Sequence, residues 1–514
     1  MSKKILSMFL ALLMVLSLAA CGGGDSAPDD STPGSTPSNT SEPSSSGGDG
    51  EIKHLIMAFP TWTGAPADTQ MVQDAINEIT REKLGIEVEL QIYDAGSYRQ
   101  SLTLALSGGE QIDILSCMLA GYSTLANQGY LLDLNENDLL NTYGQGVIEA
   151  MGQEYIDATK YNGYQYGLPN NRDMAQGRGC VAVQTRCLEG IGYQFPNDGK
   201  EIIQITEEEL CDIMAKIHET FPELETFRPV AGNSMAQYTA IDRLGGDNFG
   251  VLEDYGHEAK VVNCFESPEY YAYCELMYDW NQKGYISKDA ATDTTAVTEL
   301  VKSNVLAAYH TGGKPGIKYQ ETAGDNTDMT IFQTKKDFVA SASVAAFPWS
   351  ISINTVDAVA AMQLLNEFYQ NAELSNLLTY GIEGVHYALT ESGQMTTQGV
   401  EKAADYGTLP FLAPNQYLNV VSEFDDPNLW DNMRAFNNEA EKSVACGFAF
   451  DATSVATEMT ACSNVYAEYQ TSVEYGFVDP AVGIPEMNEK MMNAGLQKII
   501  DAKQEQLTAW LAQQ

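Results

Sequence analysis

The 514-residue sequence has little positive charge and few of the residues that metal centres use. It contains 28 Lys and Arg against 70 Asp and Glu, which gives a formal net charge of −42, and it contains only five His. Nucleic acids and anionic lipid headgroups bind clusters of Lys and Arg, so we expect no nucleic-acid partner. No Cys-x-x-Cys pair occurs, and five His are too few for a zinc site of the usual spacing. We therefore predict neither a metal site nor a cofactor.

Catalytic signatures are absent as well. The sequence has no HExxH, GxSxG, GxxxxGK[ST] or GxGxxG motif. His257 and Glu258 lack the second His of a zinc protease, and Pro315 follows Gly312-Gly313-Lys314 where a phosphate loop would start its helix. The many acids could include the paired carboxylates of a glycosidase, although solvated surface acids explain them better. We predict that the protein is not an enzyme.

The N-terminus has the pattern of an export signal. Lys3 and Lys4 precede an apolar run over residues 5–20, which is short for a membrane-spanning helix. The run ends in Leu18-Ala19-Ala20-Cys21, which resembles a bacterial lipoprotein signal. That resemblance implies a signal peptide over residues 1–20, a lipid (palmitate) anchor at Cys21, and a location on the extracellular face of the bacterial cytoplasmic membrane. The alternative is an ordinary signal peptide followed by an incidental cysteine.

Residues 21–50 are rich in Ser, Gly and Pro and contain no Lys or Arg. This composition predicts a disordered tether, which would span about 30 Å if it behaves as a random coil. Eight cysteines follow Cys21 at irregular spacings, several of them within apolar runs. An exported protein could pair them as disulfides, but we favour buried free thiols.

The body of the chain predicts alternating strands and helices. Apolar periodicity indicates, in order, a strand at 52–59, a helix at 69–84, a strand at 86–92, a helix at 98–106 and a strand at 112–116. This alternation is typical of an α/β fold with a parallel sheet. Further helices are predicted from a capping box at Thr206 up to residue 220, from Ser267-Pro268, and over residues 491–511.

Several stretches resemble one family of proteins. They are the hairpin at 161–169 (YNGYQYGLP), residues 262–270 (VNCFESPEY) with 280–286 (WNQKGYI), residues 377–387 (LLTYGIEGVHY), and residues 450–465. Together they resemble the extracellular solute-binding proteins of family 1, which serve ABC importers, and more narrowly the LipO-like lipoproteins with a C-terminal DUF3502-type region. The resemblance spans about residues 51–514.

The resemblance implies a two-lobed α/β fold of the periplasmic-binding-protein-like type II, with a hinged cleft between the lobes. It places the N-terminal lobe at 51–177 plus about 350–415, and the C-terminal lobe at 178–349 plus about 416–514. Three crossings between the lobes are expected, near residues 178–184, 344–353 and 411–418. Such a protein traps a small molecule by lobe closure and delivers it to the permease subunits of an ABC transporter. We expect it to act as a monomer.

A sugar ligand would need flat aromatic surfaces for its C–H faces, and amides, carboxylates or Arg for its hydroxyls. In open α/β sheets, ligands lie at the carboxyl ends of strands. This rule selects Trp62 after the first strand and Tyr122 after the third. Asn171 and Arg172 follow the hairpin and offer many hydrogen-bonding groups. Packing against the lobe, or a solvated turn for Asn171 and Arg172, is the alternative in each case.

Three more side chains are candidate ligand contacts. His310 ends a predicted strand at 305–309, where a structural role is the more common one for a lone His. Trp349 lies at a predicted crossing. Trp430 follows Pro427-Asn428-Leu429, where it could instead anchor the start of a helix.

Three functions remain open at this point. The first is a receptor for a carbohydrate, in particular an oligosaccharide. The second is a receptor of the same fold for a peptide or another polar solute, and a cationic ligand would favour it because an acidic protein attracts cations. The third is an extracellular glycosidase.

Overall fold

The computed structural model describes residues 52–197, 199–230, 232 and 234–513. The predicted signal peptide, the tether and Cys21 lie outside the described residues. Within the described residues, no α-helix is long and apolar enough to span a membrane.

Fifteen strands are found in the described residues. They are β1 (Lys53–Thr61), β2 (Ile86–Asp94), β3 (Ile114–Ser116), β4 (Lys160–Tyr161), β5 (Tyr164–Gln165), β6 (Gln176–Gln184), β7 (Ile202–Gln204), β8 (Glu225–Arg228), β9 (Leu306–Gly313), β10 (Met329–Gln333), β11 (Asp337–Val339), β12 (Trp349–Ile351), β13 (Ala388–Leu389), β14 (Met395–Thr396) and β15 (Glu441–Lys442).

Eighteen α-helices are found in the same part of the chain. They are α1 (Thr69–Leu84), α2 (Tyr98–Ser107), α3 (Tyr122–Asn127), α4 (Leu139–Tyr143), α5 (Gln145–Met151), α6 (Gln153–Asp157), α7 (Thr185–Gly190), α8 (Glu207–Thr220), α9 (Ser234–Tyr238), α10 (Pro268–Gln282), α11 (Val297–Lys302), α12 (Ile317–Asp325), α13 (Ala358–Gln370), α14 (Ala372–Tyr380), α15 (Leu429–Glu439), α16 (Ala456–Glu474), α17 (Pro480–Ala494) and α18 (Leu496–Leu511).

The first sheet has the strand order β12-β3-β1-β2. Strand β1 pairs in parallel with both β2 and β3, so the parallel α/β arrangement predicted from the sequence is confirmed. Strand β12 comes from more than 200 residues later in the chain and pairs antiparallel with β3. Helix α1 ends at Gly85, whose φ of 67° is left-handed and favours glycine. We call this sheet, with the helices packed on its apolar faces, the first lobe.

The second sheet is built around the long strand β6. Strand β10 pairs antiparallel with β6 on one side, and β9 pairs antiparallel with it on the other. Strands β7 and β8 extend the sheet by parallel pairing with β10 and β9. Strand β11 pairs antiparallel with the start of β6, and β15 pairs in parallel with β11. We call this sheet and its helices the second lobe. The two sheets have separate large hydrophobic cores.

The first predicted crossing between lobes is wrong. Residues 178–184 belong to β6 of the second sheet. The chain leaves the first lobe at Leu168, which bridges Trp349, and enters the second at Gln176. We call residues 169–175 the first link, and residues 340–348, between β11 and β12, the second link. The crossing predicted near 411–418 stays a prediction, although Asn415 does bridge Asn171 of the first link.

Local signals in the second lobe gave the right helix ends. Thr206 and Glu209 form the predicted capping box at the start of α8, and the Ser267 hydroxyl accepts hydrogen bonds at the start of α10. The single C-terminal helix predicted at 491–511 is wrong, because Gly495, with a φ of 105°, separates α17 from α18.

All eight cysteines of the described residues are free; Cys211 and Cys446 are half-buried and the other six are buried, as predicted.

Candidate ligand-binding site

A cavity of about 380 Å³ lies where the two links meet the end of strand β9. We call it the link cavity. The first link and β6 contribute residues 172–176, the second link contributes Ser343 and Phe347, and residues 311–314 come from the end of β9. Helices α9 and α12 complete the wall with Gln237, Ile317, Gln320 and Glu321.

The cavity borders the carboxyl edge of the first sheet. The backbone N–H of Cys117, directly after β3, donates to the carbonyl of Pro348 at 2.9 Å. Pro348 adjoins Phe347, which lines the cavity. Ligands of open α/β sheets bind at this edge, and both links pass here. The link cavity is therefore the candidate site, although a larger cavity exists elsewhere.

The charged groups around the link cavity balance one another. Lys314 Nζ lies 2.9 Å from Asp173 Oδ2, and Arg172 Nη1 lies 3.3 Å from Asp173 Oδ1. Burial would raise the pKa of Asp173, but Lys314 and Arg172 outweigh it and hold that pKa below its ordinary value. Glu321 accepts hydrogen bonds from the hydroxyls of Tyr309, at 2.7 Å, and Thr311, at 2.5 Å. Two cations and two anions therefore face one cavity, which suits an uncharged polar ligand.

Arg172 joins the two links. Its guanidinium lies over the ring of Phe347, 4.6 Å from the ring centroid, and its Nη2 donates to the carbonyl of Ser343 at 2.9 Å. The sequence analysis predicted Arg172 as a site residue, and the structure brings it to the cavity wall. Phe347, Lys314, Glu321 and Gln237 were missed.

Gln237 has an unused polar atom at this site. Its Oε1 is buried and has no hydrogen-bond partner among the described residues. A buried acceptor without a partner is costly, so a bound hydroxyl donor would be favourable here. No sequence signal marks Gln237, since it lies on a short helix more than 60 residues from Arg172.

Three predicted residues are partly exposed and do not line the link cavity. Trp62 follows β1 and is 57% exposed. The Asn171 side chain donates to the carbonyl of Ala150 at 3.1 Å. Trp430 is half-buried, and its indole N–H donates to the carbonyl of Asn419 at 2.6 Å. Their roles as ligand contacts stay predictions.

The predictions for Trp349 and Tyr122 are wrong. Trp349 is fully buried in the core of the first lobe, and its indole N–H donates to the carbonyl of Leu412 at 2.9 Å. Tyr122 is also buried, and its hydroxyl donates to the carbonyl of Thr159 at 2.5 Å. Neither ring has a free face for a solute.

The prediction for His310 is wrong as well. Its ring is 1% exposed and packs against the rings of Phe227, Tyr238 and Tyr273. Burial lowers its pKa to about 3, so the ring is neutral at ordinary pH. Its neighbour Thr311, rather than His310, lines the link cavity.

Comparisons with known proteins show which family the chain resembles. Residues 444–512 match the family model described as a domain of unknown function, DUF3502. A carbohydrate ABC transporter substrate-binding protein of Streptococcus pneumoniae serotype 4 is 25% identical over 456 residues, which cover 85% of this chain and 87% of the relative. The resemblance to the solute-binding proteins of ABC transporters is confirmed.

Solved structures show the same fold. An N-glycan transport solute-binding protein from Streptococcus pneumoniae superposes with a TM-score of 0.78 at 23% identity, over 90% of this chain and 99% of that one. The complex of that protein with Man1GlcNAc gives a TM-score of 0.67 at 22% identity, and the complex with Man5GlcNAc gives 0.65 at 23% identity. Both alignments cover 90% of this chain and 99% or more of the other. The fold is therefore that of a two-lobed extracellular solute-binding protein. These relatives are substrate-binding transport proteins and not enzymes, in agreement with the prediction that the chain is not an enzyme.

Proposed function

We propose that this protein is an extracellular, lipid-anchored receptor that captures a carbohydrate, most specifically an oligosaccharide, and delivers it to the permease of an ABC importer. The link cavity is the observation that supports this function best. Its charges cancel, it borders both links between the lobes, and it offers hydrogen-bonding groups beside an aromatic ring. A neutral sugar requires these groups.

The chemistry of the cavity favours a neutral ligand over a cationic one. The protein as a whole carries a net charge of −42, yet Arg172 and Lys314 offset Asp173 and Glu321 at this site. A polyamine or a basic peptide would meet two cations here. The names of the relatives, which are carbohydrate and N-glycan transport proteins, support the same class of ligand.

Capture would proceed by closure of the lobes. A ligand in the link cavity contacts both links and the end of β9, so it can bind the closed form more tightly and shift the population towards it. The pneumococcal structure for which no glycan is named gives a TM-score of 0.78. The two structures of the same protein in complex with a glycan give lower TM-scores, 0.67 and 0.65. A different angle between lobes would produce such a change.

The anchoring remains part of the proposal. Residues 1–20 would be removed, Cys21 would carry the lipid (palmitate), and residues 21–50 would tether the receptor to the extracellular face of the cytoplasmic membrane. The monomeric state, the division of the chain into two lobes and a third crossing between them are also kept as proposals.

A thermal-shift screen tests the proposed ligand class. The exported chain, with Cys21 replaced to prevent lipidation, would be heated with neutral oligosaccharides, monosaccharides, peptides and polyamines. A ligand present at one hundred times its Kd stabilises the native state by about 2.7 kcal/mol. We expect a concentration-dependent rise in Tm with one class of glycan, and the glycan recovered intact. A rise with peptides or polyamines and none with glycans would instead identify a receptor for another polar solute.

A further inference from the structure

A second and larger cavity, of about 780 Å³, lies on the other side of helix α12. We call it the distal cavity. Strands β7 and β10 contribute Gln204 and Gln333, and α12 contributes Tyr319. The opposite wall consists of Phe424, Asp425 and the start of helix α15. Its volume falls within the usual range of small-molecule sites.

The two walls of the distal cavity belong to different lobes. Helix α12 and strands β7 and β10 are part of the second lobe. The segment before Phe424 is attached to the first lobe, because the N–H of Val420 donates to Asn376 Oδ1 at 2.9 Å on helix α14. Leu377 and Leu378 of that helix pack in the first lobe's core. A ligand in the distal cavity would therefore contact both lobes.

Two aromatic rings meet at this cavity. The rings of Tyr319 and Phe424 stack with their centroids 5.0 Å apart and their planes 13° from parallel. Phe424 is 56% exposed, although burying such an apolar ring would be favourable. A flat apolar surface left open to solvent beside polar groups is what the C–H face of a sugar ring contacts.

Hydrogen-bond acceptors line the same cavity as the two rings. Asp425 Oδ1 is buried and has no hydrogen-bond partner among the described residues. Glu201 accepts the backbone N–H groups of Gly316, at 2.8 Å, and Lys318, at 2.5 Å, and so is fixed at the cavity wall. Gln204 donates to Gln333 Oε1 at 2.7 Å. Acceptors that are fixed in place suit the hydroxyl donors of a sugar.

The distal cavity is close to the link cavity. Lys314 lines the link cavity and Pro315, the next residue, lines the distal one. Helix α12 presents Glu321 to the former and Tyr319 to the latter. The cavities are therefore separated by roughly the width of one helix, about 10 Å with its side chains. One sugar ring is too small to occupy both cavities, whereas a chain of several rings, or a branched one, is large enough.

We propose that the distal cavity is a second subsite for the ligand of the link cavity, and that it is filled by oligosaccharides long or branched enough to pass helix α12. This inference rests on the proposed function. Such a subsite makes the receptor selective for larger glycans, because a disaccharide in the link cavity does not reach Tyr319 and Phe424.

Calorimetric titration with Man1GlcNAc and Man5GlcNAc tests the subsite. We expect the unaltered receptor to bind Man5GlcNAc more tightly. Phe424→Ala should weaken Man5GlcNAc binding about tenfold, the scale of one lost aromatic contact, and change Man1GlcNAc binding less than about twofold. Asp425→Asn should show the same selectivity. Phe195→Ala is the matched control, since Phe195 is also an exposed Phe, at 41%, and lines neither cavity.

The outcomes separate the subsite from the proposed function. Phe424→Ala could weaken the binding of Man1GlcNAc and Man5GlcNAc by the same factor. That result would mean that the stacked rings set the angle between the lobes, and it would overturn the subsite but not the proposed function. Unchanged affinities in both variants would also overturn the subsite alone. If the unaltered receptor binds neither glycan, both the subsite and the proposed function as a receptor for this class of mannose-containing glycan are overturned. The Tm of each variant without ligand shows whether it is folded.

Discussion

Lys314 Nζ lies 2.9 Å from Asp173 Oδ2, and this ion pair connects the end of strand β9 to the first link between the lobes. The two residues are 141 positions apart in the sequence. Both side chains are largely shielded, with exposed fractions of 29% and 17%. The pair fixes one wall of the link cavity to the segment about which the lobes would move.

Asp173→Asn should lower the free energy of unfolding at pH 7 by about 1–3 kcal/mol, between the values for exposed and fully buried pairs. The pKa of Asp173 is below its unfolded value of about 3.9, so its contribution is present above that pH and is lost as pH falls through the folded pKa. Denaturant melts at pH 7 and near pH 3 check this. A variant whose deficit is as large at pH 3 as at pH 7 would contradict the role of the charge.

Phe347→Ala should weaken ligand binding by about 1–3 kcal/mol, because Phe347 lines the link cavity and supports the guanidinium of Arg172. Titration with the glycan that gives the largest thermal shift measures the loss. Phe195→Ala is again the control. Equal affinity in Phe347→Ala and the unaltered receptor would remove the second link from the site.

Trp62→Ala tests the aromatic candidate at the end of β1. Trp62 is 57% exposed and lines neither cavity in the present arrangement of the lobes. If closure brings it onto the ligand, truncation weakens binding by about 1–3 kcal/mol without lowering the Tm of the unliganded protein. An unchanged Kd would exclude Trp62 from the site.

His310→Phe should leave ligand affinity unchanged and maintain or raise the Tm at pH 5. Both ring nitrogens of His310 are buried without a partner among the described residues, and the ring already packs among aromatic side chains. Its folded pKa of about 3 is below the unfolded value of about 6.5, so the native state loses stability as pH falls between these values. The Phe variant should lose less over the same range; a variant that loses as much would contradict this account.

Lys503→Ala should destabilise the protein by about 3–5 kcal/mol, the cost of breaking a buried ion pair. Lys503 is fully buried in helix α18, inside the DUF3502 match, with its Nζ 2.8 Å from Asp247 Oδ1 and 3.1 Å from the carbonyl of Gly250. Lys498→Ala on the same helix is the matched control. Its side chain is 70% exposed and its pair with Glu458 should contribute less than about 1 kcal/mol. Equal losses in chemical denaturation would contradict the structural role of Lys503.

Local sequence signals predicted much of the first lobe and several helix ends. The bounds of α1, its stop at Gly85 and the capping box at Thr206 depend on residues a few positions apart, and all three are present. The break at Gly495 was missed because the apolar stripe continues across it.

The candidate site was harder to predict, because long-range packing decides which residues line it. An aromatic residue beside a strand end is equally suited to a core, and Trp349 and Tyr122 prove to be core residues. Arg172 was predicted because its loop is dense in polar groups, and it lies at the wall of the link cavity. Lys314 and Glu321 were not, since only the antiparallel pairing of β9 with β6 brings them to the first link.

A crystal structure of the receptor with the glycan that gives the largest thermal shift would test the central claim most directly. We predict glycan density in the link cavity, with hydroxyls within hydrogen-bonding distance of Arg172 and Gln237, a ring against Phe347, and the lobes closer together. Glycan bound elsewhere, with the link cavity unoccupied and the lobes unmoved, would contradict it.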